Sequence, residues 1–69
     1  MERENVSSSN ITSIGYDVEN EILEVEFKGS IVYQYLDVLG DVYEKLMCAP
    51  SIGVYFSENI RKNYDFKKL

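Results

Sequence analysis

No histidine occurs in this 69-residue chain. That absence removes the commonest general base, the commonest metal ligand and any nucleophile activated by histidine. Cysteine is almost missing too: Cys48 stands alone, so no internal disulfide can form and a structural zinc site fails on ligand count. No apolar run approaches the roughly 20 residues that a membrane helix requires. The opening, Met1-Glu2-Arg3-Glu4-Asn5, lacks the apolar segment of a signal peptide, and the expected compartment is the reducing cytoplasm. Gly15, Gly29, Gly40 and Gly53 are scattered and match neither a dinucleotide fingerprint nor a phosphate loop, so no cofactor and no metal are expected.

Positive charge is scarce where most of the chain lies. Residues 1 to 57 carry three basic side chains, Arg3, Lys28 and Lys45, against ten acidic ones, a net of −7. Residues 58 to 69 carry Arg61, Lys62, Lys67 and Lys68 against Glu58 and Asp65, a net of +2. Such a body repels a polyanion at long range, so contact with nucleic acid must be local and C-terminal. The plain alternative is a solvated acidic surface that keeps a small protein soluble. A domain of this size buries only about 60% of the surface its unfolded chain exposes, which leaves no room for a deep substrate pocket unless two copies share one. The chain is accordingly read as non-enzymatic.

What is present is a clear pattern. Residues 1–9, with Ser7-Ser8-Ser9, read as a flexible lead-in, and residues 10–69 read as a single domain. A first strand spans 11 to 17 and ends where Asp17 and Asn20 favour a turn. From Glu21 to Lys28, Leu23, Val25 and Phe27 alternate with Glu24, Glu26 and Lys28, the period of a strand with one buried and one wet face. Ile31 to Leu36 then returns antiparallel. Beyond Asp37, Val42, Tyr43, Leu46 and Met47 recur at helical spacing, Pro50 ends that helix, and Ser51 caps a second. Ile52, Phe56 and Ile60, joined by Tyr55, line one face of the second helix, and Tyr64, Phe66 and Leu69 suggest a tail folded onto the body. The expected fold is α+β: a three-stranded antiparallel β-meander followed by two short α-helices packed on one face.

Two readings of Tyr33-Gln34-Tyr35 depend on hairpin register. A two-residue Gly29-Ser30 turn pairs Phe27 with Val32 and puts both tyrosines on the outer face, as a stacking platform beside Glu24 and Glu26. A three-residue loop, Lys28-Gly29-Ser30, pairs Phe27 with Ile31, Val25 with Tyr33 and Leu23 with Tyr35, and puts the rings under the helices. The second buries more apolar surface, and burial favours it. Glu24 and Glu26 read as no more than a wet face, and Cys48 as a small buried hydrophobe.

Taken in order, Ser8-Ser9-Asn10-Ile11, Ile14-Gly15-Tyr16-Asp17, Leu23-Glu24-Val25-Glu26-Phe27, Tyr33-Gln34-Tyr35, Val42-Tyr43 and Ser51-Ile52-Gly53-Val54-Tyr55-Phe56, with Ile60-Arg61 and Tyr64, resemble the KTSC domain. That family is named for the C-terminus of some lysyl-tRNA synthetases and also occurs as free-standing bacterial or phage proteins. The resemblance runs over about residues 6 to 69. It implies RNA binding, through the synthetase fusion, and no accepted activity. Gly29-Ser30 stands where the family order would be Asn-Gly, and Leu39-Gly40 replaces Pro-Glu, costing the first helix a rigid start and an N-terminal carboxylate.

Two functions are therefore carried forward. In the first, a small RNA- or nucleic-acid-binding module stacks bases on Tyr33, Tyr35 or Tyr55 and meets phosphates with Arg61, Lys62, Lys67 and Lys68. In the second, an acidic sheet face makes the chain a protein-interaction adaptor or phage-encoded modulator that docks on a larger basic partner. The edges of a three-stranded sheet also leave room for a homodimer.

Overall fold

A computed structural model describes the whole chain, Met1–Leu69. Seven elements follow one another: β1 (Arg3–Asn5), β2 (Ile11–Asp17), β3 (Ile22–Phe27), β4 (Ile31–Tyr35), α1 (Gly40–Met47), α2 (Ile52–Asn59) and β5 (Phe66–Lys68). The strands form one antiparallel sheet in the order β1-β2-β3-β4-β5, with both helices inserted before the last strand. The three expected strands are thus the centre of a five-stranded sheet. Neither helix is long and apolar enough to cross a membrane.

The alternation of Leu23, Val25 and Phe27 builds the inner face of β3, where Leu23 and Val25 are fully buried. On β2, Ile11 pairs with Phe27 and Ser13 with Glu26, so Thr12 is an extra residue in the ladder. This bulge lets Ile11 and Ile14, three apart, both enter the core. The β2–β3 turn is tied by Asp17, whose Oδ1 accepts from the backbone N–H groups of Glu19 and Asn20 at 3.1 and 3.2 Å.

The β3–β4 hairpin has the three-residue loop. Phe27 pairs with Ile31, Val25 with Tyr33 and Leu23 with Tyr35. Gly29 and Ser30 both take positive φ, 89° and 64°, which glycine accepts freely and serine does not. The platform register is therefore excluded: both tyrosines stand on the inner face.

Helix packing closes that face. Leu46 from α1, with Phe56 within α2 and Ile60 just beyond its end, joins Ile11, Ile14, Leu23, Val25, Tyr35 and Val38 in one core cluster. Tyr16 anchors the start of α1: its hydroxyl donates to the Val38 carbonyl, and its ring stacks on Tyr43 at 4.9 Å. The carboxylate expected to be missing from α1 is supplied by Asp41 in the first turn. Ser51 caps α2 by accepting from the Val54 N–H at 3.3 Å. Cys48 is exposed at the end of α1 rather than buried, because the helix has already turned its last core residue, Leu46, inward.

Both chain ends correct the simpler picture. Within the stretch read as a flexible lead-in, Arg3–Asn5 pairs with Ser13–Gly15 as β1. The tail folds back as β5, and further bonds run from the Leu36 N–H to the Asp65 carbonyl and from the Leu69 N–H to the Val32 carbonyl. The chain itself thus covers the edges that the three-stranded reading left for a second copy. The new edges are three residues long, short enough to blunt further pairing.

Candidate functional site

Rings accumulate on the inner face of the sheet because β3, β4 and β5 each place an aromatic residue there. Tyr33 meets Phe27 edge-on at 5.7 Å and stacks with Phe66 at 5.3 Å and 10°. Tyr35 meets Phe56 of α2 nearly perpendicularly at 5.3 Å and Phe66 at 5.6 Å. Phe27 in turn meets Phe56 at 5.5 Å. Such tilted and offset pairs are favourable beyond their buried area.

Helix α2 does not cover this cluster completely. A cleft of about 290 Å³ opens between the sheet and the helix, with Phe27, Ile31, Tyr33 and Tyr35 on the strand side and Gly53, Phe56, Ser57 and Arg61 on the helix side. Asn10 and Ile11 close its end. Gly53 and Ser57, one helical turn apart on the same face of α2, both line it. No carboxylate lines the cleft, and Arg61 is its one charged side chain. In a chain of net charge −5 this is a locally positive spot.

Tyr35 is the most informative residue of the cleft. It is 2% exposed, so its ring belongs to the core, yet it also lines the opening. Burial raises the pKa of its hydroxyl, Tyr33 adds to the rise, and the Arg61 guanidinium pulls the other way. The hydroxyl keeps its proton at neutral pH and remains a donor.

Of the residues singled out from sequence, the fold brings Tyr33, Tyr35 and Arg61 into this cleft. Lys68 pairs with Tyr33 and so stands on the same face of the sheet. Lys67 pairs with Gln34 and stands on the opposite face. Tyr55 packs against the core outside the cleft, and Lys62 is exposed beyond the end of α2. Sequence reasoning missed Phe27 and Phe56 as cleft residues, since both read as core. It also missed Ser57, which reads as a solvent-facing helix position.

The outer face is built differently. Arg3 lies across Gly15 to reach Glu24, forming a close ion pair, while its Nε donates to Ser13 Oγ at 3.1 Å. A side chain at position 15 would block that path, because a Cβ there would stand 2.5 Å from the Glu2 carbonyl oxygen and 3.0 Å from Arg3 Cγ. Ser13 donates to Glu26 at 2.8 Å, and Gln34 donates to Glu24 at 2.8 Å. Glu24 is only 6% exposed, so its reading as part of a wet face is corrected. Burial by itself would raise the Glu24 carboxyl, but hydrogen bonds from Gln34 and Arg3 and the Arg3 charge outweigh it and hold the group below its ordinary range.

With the geometry established, comparison with known proteins places the chain. A family model described as the KTSC domain matches residues 7–64. The chain belongs to the KTSC domain family. It superposes on the crystal structure of a KTSC domain protein from Yersinia pestis with a TM-score of 0.95 and 40% identity, covering 99% of this chain and 96% of that one. An uncharacterized protein of Stutzerimonas stutzeri is 41% identical over 58 residues, 84% of this chain and 82% of its own length. A lysine–tRNA ligase of Nostoc punctiforme is 34% identical over 59 residues, which span 86% of this chain but 10% of that protein. In this KTSC domain the Ser51, Gly53 and Phe56 segment acquires a physical role: the serine caps α2, the glycine lets the helix approach Ser8, whose Oγ a Cβ would meet at 3.2 Å, and the phenylalanine forms part of the cleft wall.

Proposed function

We propose that this KTSC domain is a small, non-catalytic module that binds single-stranded nucleic acid, RNA above all. The observation that carries the reading is the cleft: four aromatic rings and one arginine converge on a space with no carboxylate in its lining. Aromatic rings bind unstacked bases without regard to sequence, and arginine adds a phosphate contact. The relative in Nostoc punctiforme, a tRNA ligase, makes RNA the natural polymer to test first. A cytoplasmic location fits this role and the single cysteine.

Net charge sets the expected behaviour. Arg61 lines the cleft and Lys68 stands on the same face of the sheet, whereas Lys67 stands on the opposite face, so phosphate contacts are few. Affinity falls with salt by a log–log slope of about −0.7 for each phosphate contacted on a single strand, so a slope between about −1 and −2 is expected. Titration with short single-stranded RNA and DNA at low and moderate salt tests this. Absence of binding at low salt, where the few cations act most strongly, rejects the module reading.

The adaptor alternative depends on free carboxylates on the outer face of the sheet. Glu24 and Glu26 are already engaged by Arg3, Ser13 and Gln34, which favours nucleic acid over a basic protein partner for this chain.

A further inference from the structure

Tyr16 and Tyr35 both turn their rings toward the helix-covered face of the sheet, but they use their hydroxyls in opposite ways. The Tyr16 hydroxyl donates to the Val38 carbonyl and ties the sheet to the start of α1. The Tyr35 hydroxyl bonds to no protein group, although Tyr35 is 98% buried by virtue of its 2% exposure. No side-chain polar atom is sealed in the interior without a partner, so the little of Tyr35 that remains accessible includes its hydroxyl, at the floor of the cleft. A hydroxyl held by packing, bonded to no protein group and reached through the cleft is open to an acceptor from outside the chain, a water or a ligand.

Three constraints define what fits. The walls near the hairpin are rings, so the ligand presents a flat apolar face. The floor is a hydroxyl, so the ligand carries a polar edge. The mouth holds Arg61 and no carboxylate, so the ligand carries negative charge. A space of about 290 Å³ lies at the small end of ligand cavities and admits one base with its sugar rather than a stacked pair. A bare anion would leave the rings and the hydroxyl unused, and a hydrocarbon would leave the hydroxyl and the guanidinium dry.

We propose that the cleft binds one nucleobase together with one adjoining phosphate, the base lying against Tyr33 and Phe27, its polar edge meeting the Tyr35 hydroxyl, and the phosphate held by Arg61. This rests on the nucleic-acid reading of the same cleft and names the unit recognised. A free nucleoside monophosphate and an unstacked residue of a single strand share this chemistry.

The test uses the full chain, titrated by calorimetry with nucleoside monophosphates, the matching nucleosides, inorganic phosphate and a short single-stranded RNA of mixed sequence. Nucleoside and phosphate alone are expected to bind at least about tenfold more weakly than the monophosphate, since each forfeits one class of contact. Tyr35→Phe removes only the hydroxyl and is expected to weaken binding by about three- to tenfold, the worth of one hydrogen bond. Ser57→Leu fills the opening from an exposed helix position and is expected to abolish binding while thermal melting stays that of a folded domain. Equal affinity for monophosphate and RNA identifies the free nucleotide as the ligand, and tighter RNA binding identifies the strand; both support the proposal. If RNA binds but Tyr35→Phe and Ser57→Leu keep full affinity, the single-base cleft is overturned while the nucleic-acid module stands. If neither RNA nor monophosphate binds, both fall together.

Discussion

The two faces of the sheet carry polar groups under opposite rules. On the outer face Arg3, Ser13, Glu24, Glu26 and Gln34 hydrogen-bond one another across four strands, and the buried carboxylate of Glu24 receives from both neighbours. On the inner face rings from β3, β4, β5 and α2 pack together, and the Tyr35 hydroxyl is left facing a cleft. A closed network spends its hydrogen bonds on the fold. An open hydroxyl at the bottom of an apolar cleft has no such use, which is why the candidate site is assigned to the inner face although the outer one carries more charge.

Breaking the inner face should have the largest effect on stability. Phe56 touches Phe27 and Tyr35, and Phe56→Ala is expected to cost about 3–5 kcal/mol in urea denaturation. That is much of the roughly 5–15 kcal/mol available to a small domain. A loss below about 1 kcal/mol would mean that α2 is not anchored by this ring. Next comes the outer network. Arg3→Ala leaves the buried Glu24 with Gln34 alone and is expected to cost about 1–3 kcal/mol, with β1 amides losing protection from hydrogen exchange.

The same network fixes the sign of the acid response. The folded state holds the Glu24 carboxyl below its ordinary value of 4.5, so its ionised form contributes stability above that pH. The contribution is lost as pH falls below 4.5 through the folded-state pKa. Stability followed from pH 6 to about pH 2 should therefore fall more steeply in wild type than in Arg3→Ala, where the shift is smaller. Parallel curves would show that Arg3 does not tune Glu24. The smallest effect on stability sharpens the contrast between faces most: Tyr35→Phe should leave it within about 0.5 kcal/mol, because no protein partner is lost. A larger drop would assign the hydroxyl to the fold and erase the difference between the faces.

Strong local periodicity made the middle of the chain legible. Leu23, Val25 and Phe27 announced β3, the spacing of Val42, Tyr43, Leu46 and Met47 announced α1, and Ser51 marked the start of α2, as the structure bears out. The short strands β1 and β5 were illegible as strands. Each has three residues, all exposed, and no alternation can be read in so short a span. Arg3 acquires its importance from Glu24, twenty-one residues away, and nothing in the local sequence of either signals the pair. In the candidate site, Tyr33, Tyr35 and Arg61 could be singled out by residue type. Phe27, Phe56 and Ser57 could not, because a core ring and a solvated serine look the same in sequence whether or not a cleft lies between them.

The sequence by itself determined the central meander, the two helices, the membership of the KTSC family and the absence of histidine and of any internal disulfide, since each is written in local pattern and composition. The tertiary structure alone decided which face the tyrosines occupy, that both chain ends become edge strands, and that two phenylalanines, two tyrosines and an arginine from distant segments border one opening. The physical reason is that a strand places successive side chains on opposite faces, so a single residue in a hairpin loop moves every ring across the sheet. Here the third loop residue put Tyr35 in the core with its hydroxyl at the cleft floor.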